Sequence, residues 1–147
     1  MEYNSSEFMI ETIVPSDELI ISRTDLKGII TYANETFAQI SGYEIDELVG
    51  QPHNIVRHPD MPKEAFKDMW TKLQNGEKWS GYVKNLRKDT GYYWVFAQVS
   101  GVYKDNKLVE YKSIRTPISF EDKLKYQRLY DKMRKENNEK VRVVTYL

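Results

Sequence analysis

The chain has 147 residues, the length of one ordinary domain, and its 22 basic side chains balance its 22 acidic ones. Nucleic-acid binding normally leaves a basic excess, which this composition does not have. The absence of cysteine excludes disulfides, thiolate nucleophiles and zinc sites ligated by cysteine. No stretch reaches the ~20 apolar residues that cross a bilayer, and the polar start is unlike a signal peptide. The cytoplasm is therefore the expected location.

The N-terminal part of the chain predicts a cap followed by a β-hairpin. Residues 1–17 show no firm periodicity, and we interpret them as a cap over a domain that spans 18–118. Strands are predicted at 19–22 and 29–33, because a turn signal at 25–28 separates two runs of apolar and β-branched residues.

Helices follow the hairpin. Asn34 is a good N-cap for a short helix that ends at Gly42, and a second short helix is predicted at 45–49. Pro62 stands where a longer helix can begin, and apolar residues at helical spacing extend this helix to Asn75. Its single apolar face must pack against another element.

The remainder of the domain is predicted to be β-structure. Strands are expected at 79–86, 92–103 and 108–116, where Pro117 ends the last one. Two strands, several helices and three antiparallel strands indicate an α+β domain with its helices on one face of the sheet. Residues 119–147 are predicted to form an amphipathic C-terminal helix or linker. Its narrow apolar stripe suits pairing with a partner or docking back on the domain; a partly frayed, charged helix is the alternative.

No enzyme motif is present anywhere in the chain. The segment that says most about a possible binding site is the loop 51–62. Arg57 offers a planar fork to a phosphate or carboxylate, and His58 adds a donor. Asp60 either caps the next helix or holds Arg57, and a structural Arg57–Asp60 pair without a ligand is the bland alternative. A metal site built from Asp60 and the two histidines matches no standard ligand set.

Strand alternation predicts a second polar feature. Trp79 and Asn85 are expected on the sheet face that the helices cover. An amide on an apolar face is costly unless it is hydrogen-bonded, either to a neighbouring backbone or to a flat heteroaromatic ligand with polar edges. The small residues Gly81 and Ala97 are expected to leave room for such a ligand.

Three segments carry a resemblance to a known family: residues 24–34, the RHPDMP sequence of 57–62, and the WSG sequence of 79–81. Over about 19–116 the chain resembles PAS domains, and more narrowly the PAS domains of bacterial aerotaxis receptors of the Aer type. RHPDMP followed by WSG is specific, because generic PAS domains lack it. The resemblance implies the PAS fold, a five-stranded antiparallel sheet with short helices and one connecting helix on one face.

The resemblance also implies noncovalent binding of FAD, with the oxidation state of the flavin as the signal. The FAD-site residues carried over by motif are Asn34, Arg57, His58, Asp60, Phe66, Trp79 and Asn85.

Roles follow for these residues as expectations. Arg57 and His58 are expected to face the pyrophosphate. Asn34 and Asn85 are expected at the edge of the flavin ring, with Trp79 stacking on the ring or walling the pocket. Asp60 is expected to orient Arg57, because an anion beside a diphosphate would repel it.

Redox, rather than light, is the expected input, because LOV photoreceptors of this family need a cysteine that the chain lacks. The resemblance implies a membrane-bound chemoreceptor or HAMP-containing transducer as the partner, and it leaves a homodimer open. The chain is expected to be a fragment of such a receptor or a stand-alone subunit of the CetB type, with 141–147 as a docking element.

Two other functions stay open at this point. One is a PAS module that binds haem or another small ligand, or that only mediates dimerisation or protein interaction without a cofactor. The other, a flavin-dependent oxidoreductase, is the least favoured, since the chain has no nicotinamide-binding motif. No catalytic residue is therefore predicted.

Overall fold

A computed structural model describes residues 10–139. The elements, in chain order, are β1 (Ile20–Thr24), β2 (Ile30–Ala33), α1 (Glu35–Ser41), α2 (Ile45–Leu48), a 3₁₀ turn (His53–Val56), α3 (Lys63–Gln74), β3 (Trp79–Leu86), β4 (Tyr92–Lys104), β5 (Lys107–Thr116) and α4 (Phe120–Glu136). The predicted strands are all present, with ends within two residues of the expected ones. The predicted α+β class and PAS-type sheet are confirmed.

The five strands form one open antiparallel sheet in the order β2-β1-β5-β4-β3. The first strand therefore lies beside the last one at the centre of the sheet. In this register Ile20 lies opposite Arg115, and Ser22 lies opposite Ser113. Because side chains alternate between the two faces of a strand, Ser22 and Arg115 both point to the face that carries the helices.

The helices on this face begin and end for local reasons. The Asn34 side chain accepts a hydrogen bond from Phe37 N and caps α1, and Gly42 ends the helix with a φ of 80° that favours glycine. Phe37 and Leu48 from these short helices are fully buried against the sheet. The longer helix α3 buries only Leu73 completely. Its other apolar residues stay partly open, because α3 stands off the sheet.

The C-terminal helix α4 covers the opposite face of the sheet. The Tyr126 ring stacks on Tyr82 with centroids 4.1 Å apart, and the Tyr130 ring stacks on Trp94 at 6.4 Å. The Tyr130 hydroxyl also donates to the backbone oxygen of Tyr82 over 2.5 Å. The apolar stripe predicted for this helix is thus docked on its own domain.

The described part of the N-terminal segment lies along the start of β4. Thr12 N donates to Tyr92 O over 2.8 Å, and Tyr92 N donates to Ile10 O over 2.9 Å. Residues 1–9, and the predicted docking element at 141–147, lie outside the described residues.

A buried ionic cluster centred on Asp60 fastens α4 to the loop before α3. Asp60 Oδ2 lies 2.7 Å from Lys84 Nζ, and its Oδ1 lies 3.2 Å from Arg134 Nη1. Arg134 also donates to Pro59 O over 3.2 Å and pairs with Asp131. Asp60 and Arg134 are almost completely buried. Removing one member of such a cluster leaves buried charge without its partner, which is strongly destabilising.

We therefore expect Arg134→Ala to lower the free energy of unfolding by about 3 kcal/mol, the low end for breaking a buried ion pair, since Lys84 still faces Asp60. The matched control is Lys132→Ala in the same helix. The Lys132 side chain is 74% exposed and pairs with exposed Glu136 at 3.8 Å, so its removal is expected to change stability by less than about 0.5 kcal/mol. Urea unfolding of both variants measures the difference. Equal losses would show that the Asp60 cluster does not hold α4.

Candidate functional site

A cavity of about 270 Å³ lies between α3 and the helix-bearing face of the sheet. This volume is near the lower end of the range for small-molecule sites, about 300–1,000 Å³. Phe66, Met69 and Leu73 of α3 form one wall, and Val83 and Ala97 form part of the floor. The cavity exists because α3 stands away from the strands instead of packing directly on them.

Two contacts made by tryptophan side chains hold α3 at this distance from the sheet. The Trp70 ring of α3 meets the Tyr111 ring of β5 edge to face, with centroids 5.4 Å apart. The indole Nε1 of Trp79 donates to Asp68 Oδ2 of α3 over 3.0 Å. Both contacts run from helix to sheet, so they set the height of the cavity.

Four of the predicted site residues line this cavity: Arg57, Phe66, Trp79 and Asn85. The Arg57 guanidinium lies 4.3 Å from the centre of the Phe66 ring. An isolated antiparallel bridge between Arg57 and Asn85 joins the loop to β3. Asn85 is 5% exposed, so its amide lies in the buried part of the site. These four side chains, which belong to a loop, a helix and a strand, therefore lie around one cavity.

The role expected for Gly81 is wrong, while Ala97 does line the cavity. A Cβ atom at Gly81 would lie 2.5 Å from Cζ2 of the Trp79 ring. Because Gly81 has no side chain, the indole of Trp79 fits beside it. The indole fills this space, which is therefore not available to a ligand.

Asn34 does not line the cavity. Its Oδ1 accepts from Ile21 N over 3.1 Å and from Phe37 N over 3.0 Å, while its Nδ2 donates to Leu19 O over 2.8 Å. These bonds use the amide to join β1 to α1. The structure thus places Asn34 as a helix cap and strand tie, away from the ligand position expected for it.

His58 and Asp60 also lie away from the cavity. His58 is fully buried, and its Nδ1 accepts from Asp60 N over 2.9 Å. The Asp60 carboxylate faces Lys84 and Arg134, as described above. Arg57 lies over Phe66, whereas the contacts of the Asp60 carboxylate with Lys84 and Arg134 serve to dock α4. The reason is that the loop turns around the edge strand β3 between Arg57 and Asp60.

A polar cluster that the sequence did not predict forms one end of the cavity. Arg115 of β5 is 2% exposed, and its Nη1 lies 2.9 Å from His53 Nε2 while its Nη2 donates to Ser22 Oγ over 2.9 Å. The guanidinium also lies 4.4 Å from the centre of the Phe37 ring, on which His53 stacks. Arg115, His53 and Ser22 all line the cavity.

Burial decides the charges in this cluster. Burial, and next the charge of Arg115, lower the pKa of His53 to about 3. Burial lowers the pKa of Arg115 to about 10, so the guanidinium is still charged at neutral pH. Since a guanidinium can only donate, the neutral His53 ring accepts at Nε2 and carries its hydrogen on Nδ1. The cluster is therefore one buried cation held by neutral groups.

The family profile described as PAS fold matches residues 30–115. The chain belongs to the PAS family. Within it, the PAS chain is 50% identical to the aerotaxis receptor of Escherichia coli K12 over 119 residues, 81% of this chain and 24% of the relative. It is 31% identical to the nitrogen fixation regulatory protein of Klebsiella pneumoniae over 74% of this chain and 22% of the relative. The PAS chain thus spans about a quarter of the length of these curated relatives.

Solved structures show the same fold. A PAS domain from Colwellia psychrerythraea aligns with a TM-score of 0.63 and 27% identity, over 68% of this chain and 86% of that one. The dark structure of the blue-light photoreceptor Aureochrome1 LOV aligns with a TM-score of 0.65 and 22% identity, over 81% of this chain and 84% of that one. In the described part of the PAS chain, no helix is long and apolar enough to cross a membrane. Residues 10–139 also hold no group of three potential metal ligands.

The low pKa of His53 predicts a pH dependence of stability. The unfolded chain binds a proton at His53 near pH 6.5, whereas the folded chain binds it only near pH 3. The contribution of His53 is thus complete above pH 6.5 and is lost as the pH falls from 6.5 toward 3, by at most about 1.4 kcal/mol per pH unit.

We expect His53→Gln to flatten the decline in unfolding free energy between pH 6.5 and 4.5, measured by urea titrations at several pH values. The comparison is one of slopes, so a uniform loss of stability in the variant does not affect it. Parallel curves for the two proteins would contradict the assignment of a neutral His53.

Proposed function

We propose that the cavity binds the flavin ring of FAD noncovalently, and that the domain reports the redox state of the flavin in energy taxis. The observation that carries the proposal is the cavity itself, in which Arg57, Trp79 and Asn85 converge on the helix-bearing face of the sheet. The relative that is 50% identical to this chain is called an aerotaxis receptor.

The residues present fit a flat ring with polar edges. Apolar side chains of Met69 and Val83 line the cavity, and the buried side chains of Asn85 and Arg115 supply donors to it. The Arg115 Nε atom is buried and has no hydrogen-bond partner among the described residues. A ring carbonyl or ring nitrogen is the kind of acceptor that such a donor requires.

The opening of the cavity suits the remainder of a dinucleotide. A volume of about 270 Å³ accommodates a ring system, and the other parts of FAD then extend outward. The exposed lining residues mark this opening, and they include Lys27, Asn54 and Arg57. Arg57 and Lys27 are cationic, so the opening attracts the diphosphate, and the planar fork of Arg57 matches phosphate oxygens.

A bound flavin supplies reversible uptake of electrons, which is chemistry that the side chains lack. The domain's own residues position the ring, exclude water from it and respond to its charge. With no cysteine in the chain, photoadduct formation is not available, and redox state is the proposed input. We propose a cytoplasmic sensor without catalytic turnover.

Haem is not favoured as the ligand of this cavity. His53 lines the cavity, but its Nε2 already accepts from Arg115 over 2.9 Å and lies 3.0 Å from Ser22 Oγ. His58 is buried away from the cavity.

The proposed output runs through α4 to a membrane-bound, HAMP-containing transducer. Arg57 lines the cavity, and Asp60, three positions later in the same loop, holds Arg134 of α4 at 3.2 Å. A shift of Arg57 therefore reaches α4 through one short segment that contains Pro59. Such a switch needs a differential stability of only a few kcal/mol between two arrangements. A homodimer of the domain is an alternative arrangement for this output.

Binding tests the proposal with a matched pair of ligands. The purified chain is expected to bind one FAD, measured by quenching of flavin fluorescence. Arg57→Ala is expected to weaken FAD binding about ten- to hundredfold, the value of a hydrogen bond to a charged group. Riboflavin, which has no phosphate, is expected to bind both proteins equally.

The control variant is Arg23→Ala, whose cation is exposed, paired with Glu110 at 3.1 Å and outside the cavity. It is expected to leave both affinities unchanged. A folded, colourless protein that takes up neither FAD nor riboflavin would overturn the proposed function and favour a PAS module with another ligand or none.

A further inference from the structure

We propose that Arg115 sets the electron affinity of the redox group in the cavity, because it presents a buried positive charge that no carboxylate of residues 10–139 neutralises. This inference rests on the proposed function, and it concerns a residue that the motif resemblance did not assign to the site.

The polar contacts of Arg115 are all with neutral groups. Nη1 meets His53 Nε2, Nη2 donates to Ser22 Oγ, and Nε has no partner among residues 10–139. The Phe37 ring lies against the guanidinium at 4.4 Å. No ion pair links Arg115 to any carboxylate of the described residues.

The other deeply buried arginine of the chain shows the contrast. Arg134 is also 2% exposed, but it pairs with two carboxylates, those of Asp60 and Asp131. A buried guanidinium normally requires such partners, because removing an ion from water carries a large penalty. Arg115 has no such partner in the part of the chain that the structure describes, and it lines the cavity, so its charge acts on whatever occupies the cavity.

Reduction of a flavin bound in the cavity would change the charge next to Arg115. An electron from an external one-electron donor, such as dithionite in solution, adds one negative charge to the bound ring. Because the pKa of His53 is about 3, its imidazole is neutral at neutral pH and is not an imidazolium acid that could protonate the flavin ring. The fixed guanidinium of Arg115 would stabilise a negative charge added to the flavin ring across a medium of low dielectric constant. Electron uptake becomes more favourable than it would be without Arg115.

A purely structural role for Arg115 is the competing explanation. The guanidinium joins β5 to β1 through Ser22 and to the 3₁₀ turn through His53. On that account its replacement lowers stability and leaves the potential of the bound flavin unchanged. The midpoint potential therefore separates the two explanations.

The experiment uses the FAD-loaded chain and its Arg115→Gln, Arg115→Lys and Arg23→Gln variants. FAD occupancy is first measured by the visible absorbance of the oxidised flavin. Each protein is then titrated with dithionite in the presence of a reference dye. Arg115→Gln is expected to lower the equilibrium constant for uptake of the first electron at least tenfold, which is a shift of 59 mV. Arg115→Lys keeps the charge and is expected to change it less than threefold, and Arg23→Gln is expected to have no effect.

The outcomes separate this inference from the proposed function. FAD-loaded Arg115→Gln with an unchanged potential overturns the inference and leaves the proposed function intact. Failure of the unaltered chain to bind FAD overturns the proposed function.

If Arg115→Gln does not fold, the unaltered chain decides. Its potential for the first electron is expected to be independent of pH between 6 and 8. A slope of 59 mV per pH unit, one proton taken up with the electron, overturns the inference.

Discussion

The antiparallel pairing of β1 with β5 is the contact on which the rest of the domain depends. It joins strands from opposite ends of the folded region, so that Ile20 lies opposite Arg115. All the helices of the inner face lie on the chain between these two strands. The same pairing brings Ser22 to the guanidinium of Arg115, 93 positions later in sequence. The polar end of the cavity therefore forms only when the whole sheet has closed, and neither half of the chain contains it.

The loop between the 3₁₀ turn and α3 serves both faces of the sheet. It passes around the edge strand β3, so Arg57 reaches the inner face while the Asp60 carboxylate reaches Lys84 and Arg134 on the outer side. The two buried arginines divide in the same way. Arg134 has its charge satisfied and holds a helix in place, whereas Arg115 keeps its charge available to the cavity. Neighbouring residues of one loop thereby contribute to the cavity on one face and to helix docking on the other.

Periodicity was enough to predict the sheet and the helices, because each rests on local geometry. Strand alternation correctly placed Trp79 and Asn85 on the covered face. Arg57 was singled out from the composition of its loop, and Phe66 as a site residue came only from the motif resemblance. The cap role of Asn34 was also readable, since it depends on residues three positions away. The contacts of Asp60 lie 24 and 74 positions away, and no local pattern encodes them. Arg115 escaped prediction for the same reason: its partners belong to β1 and the 3₁₀ turn.

Gly81 has a wider consequence for the cavity. A glycine in the middle of a strand weakens that strand by roughly 0.5–1 kcal/mol relative to alanine, yet here it gives the Trp79 indole a place to lie flat across β3. The indole in turn holds α3 through Asp68. Gly81 thus influences the height of the cavity through Trp79, although Gly81 itself does not line the cavity. A methyl group at this position would displace the indole and, with it, α3. A residue outside the cavity can therefore change the size of ligand that the proposed site accepts.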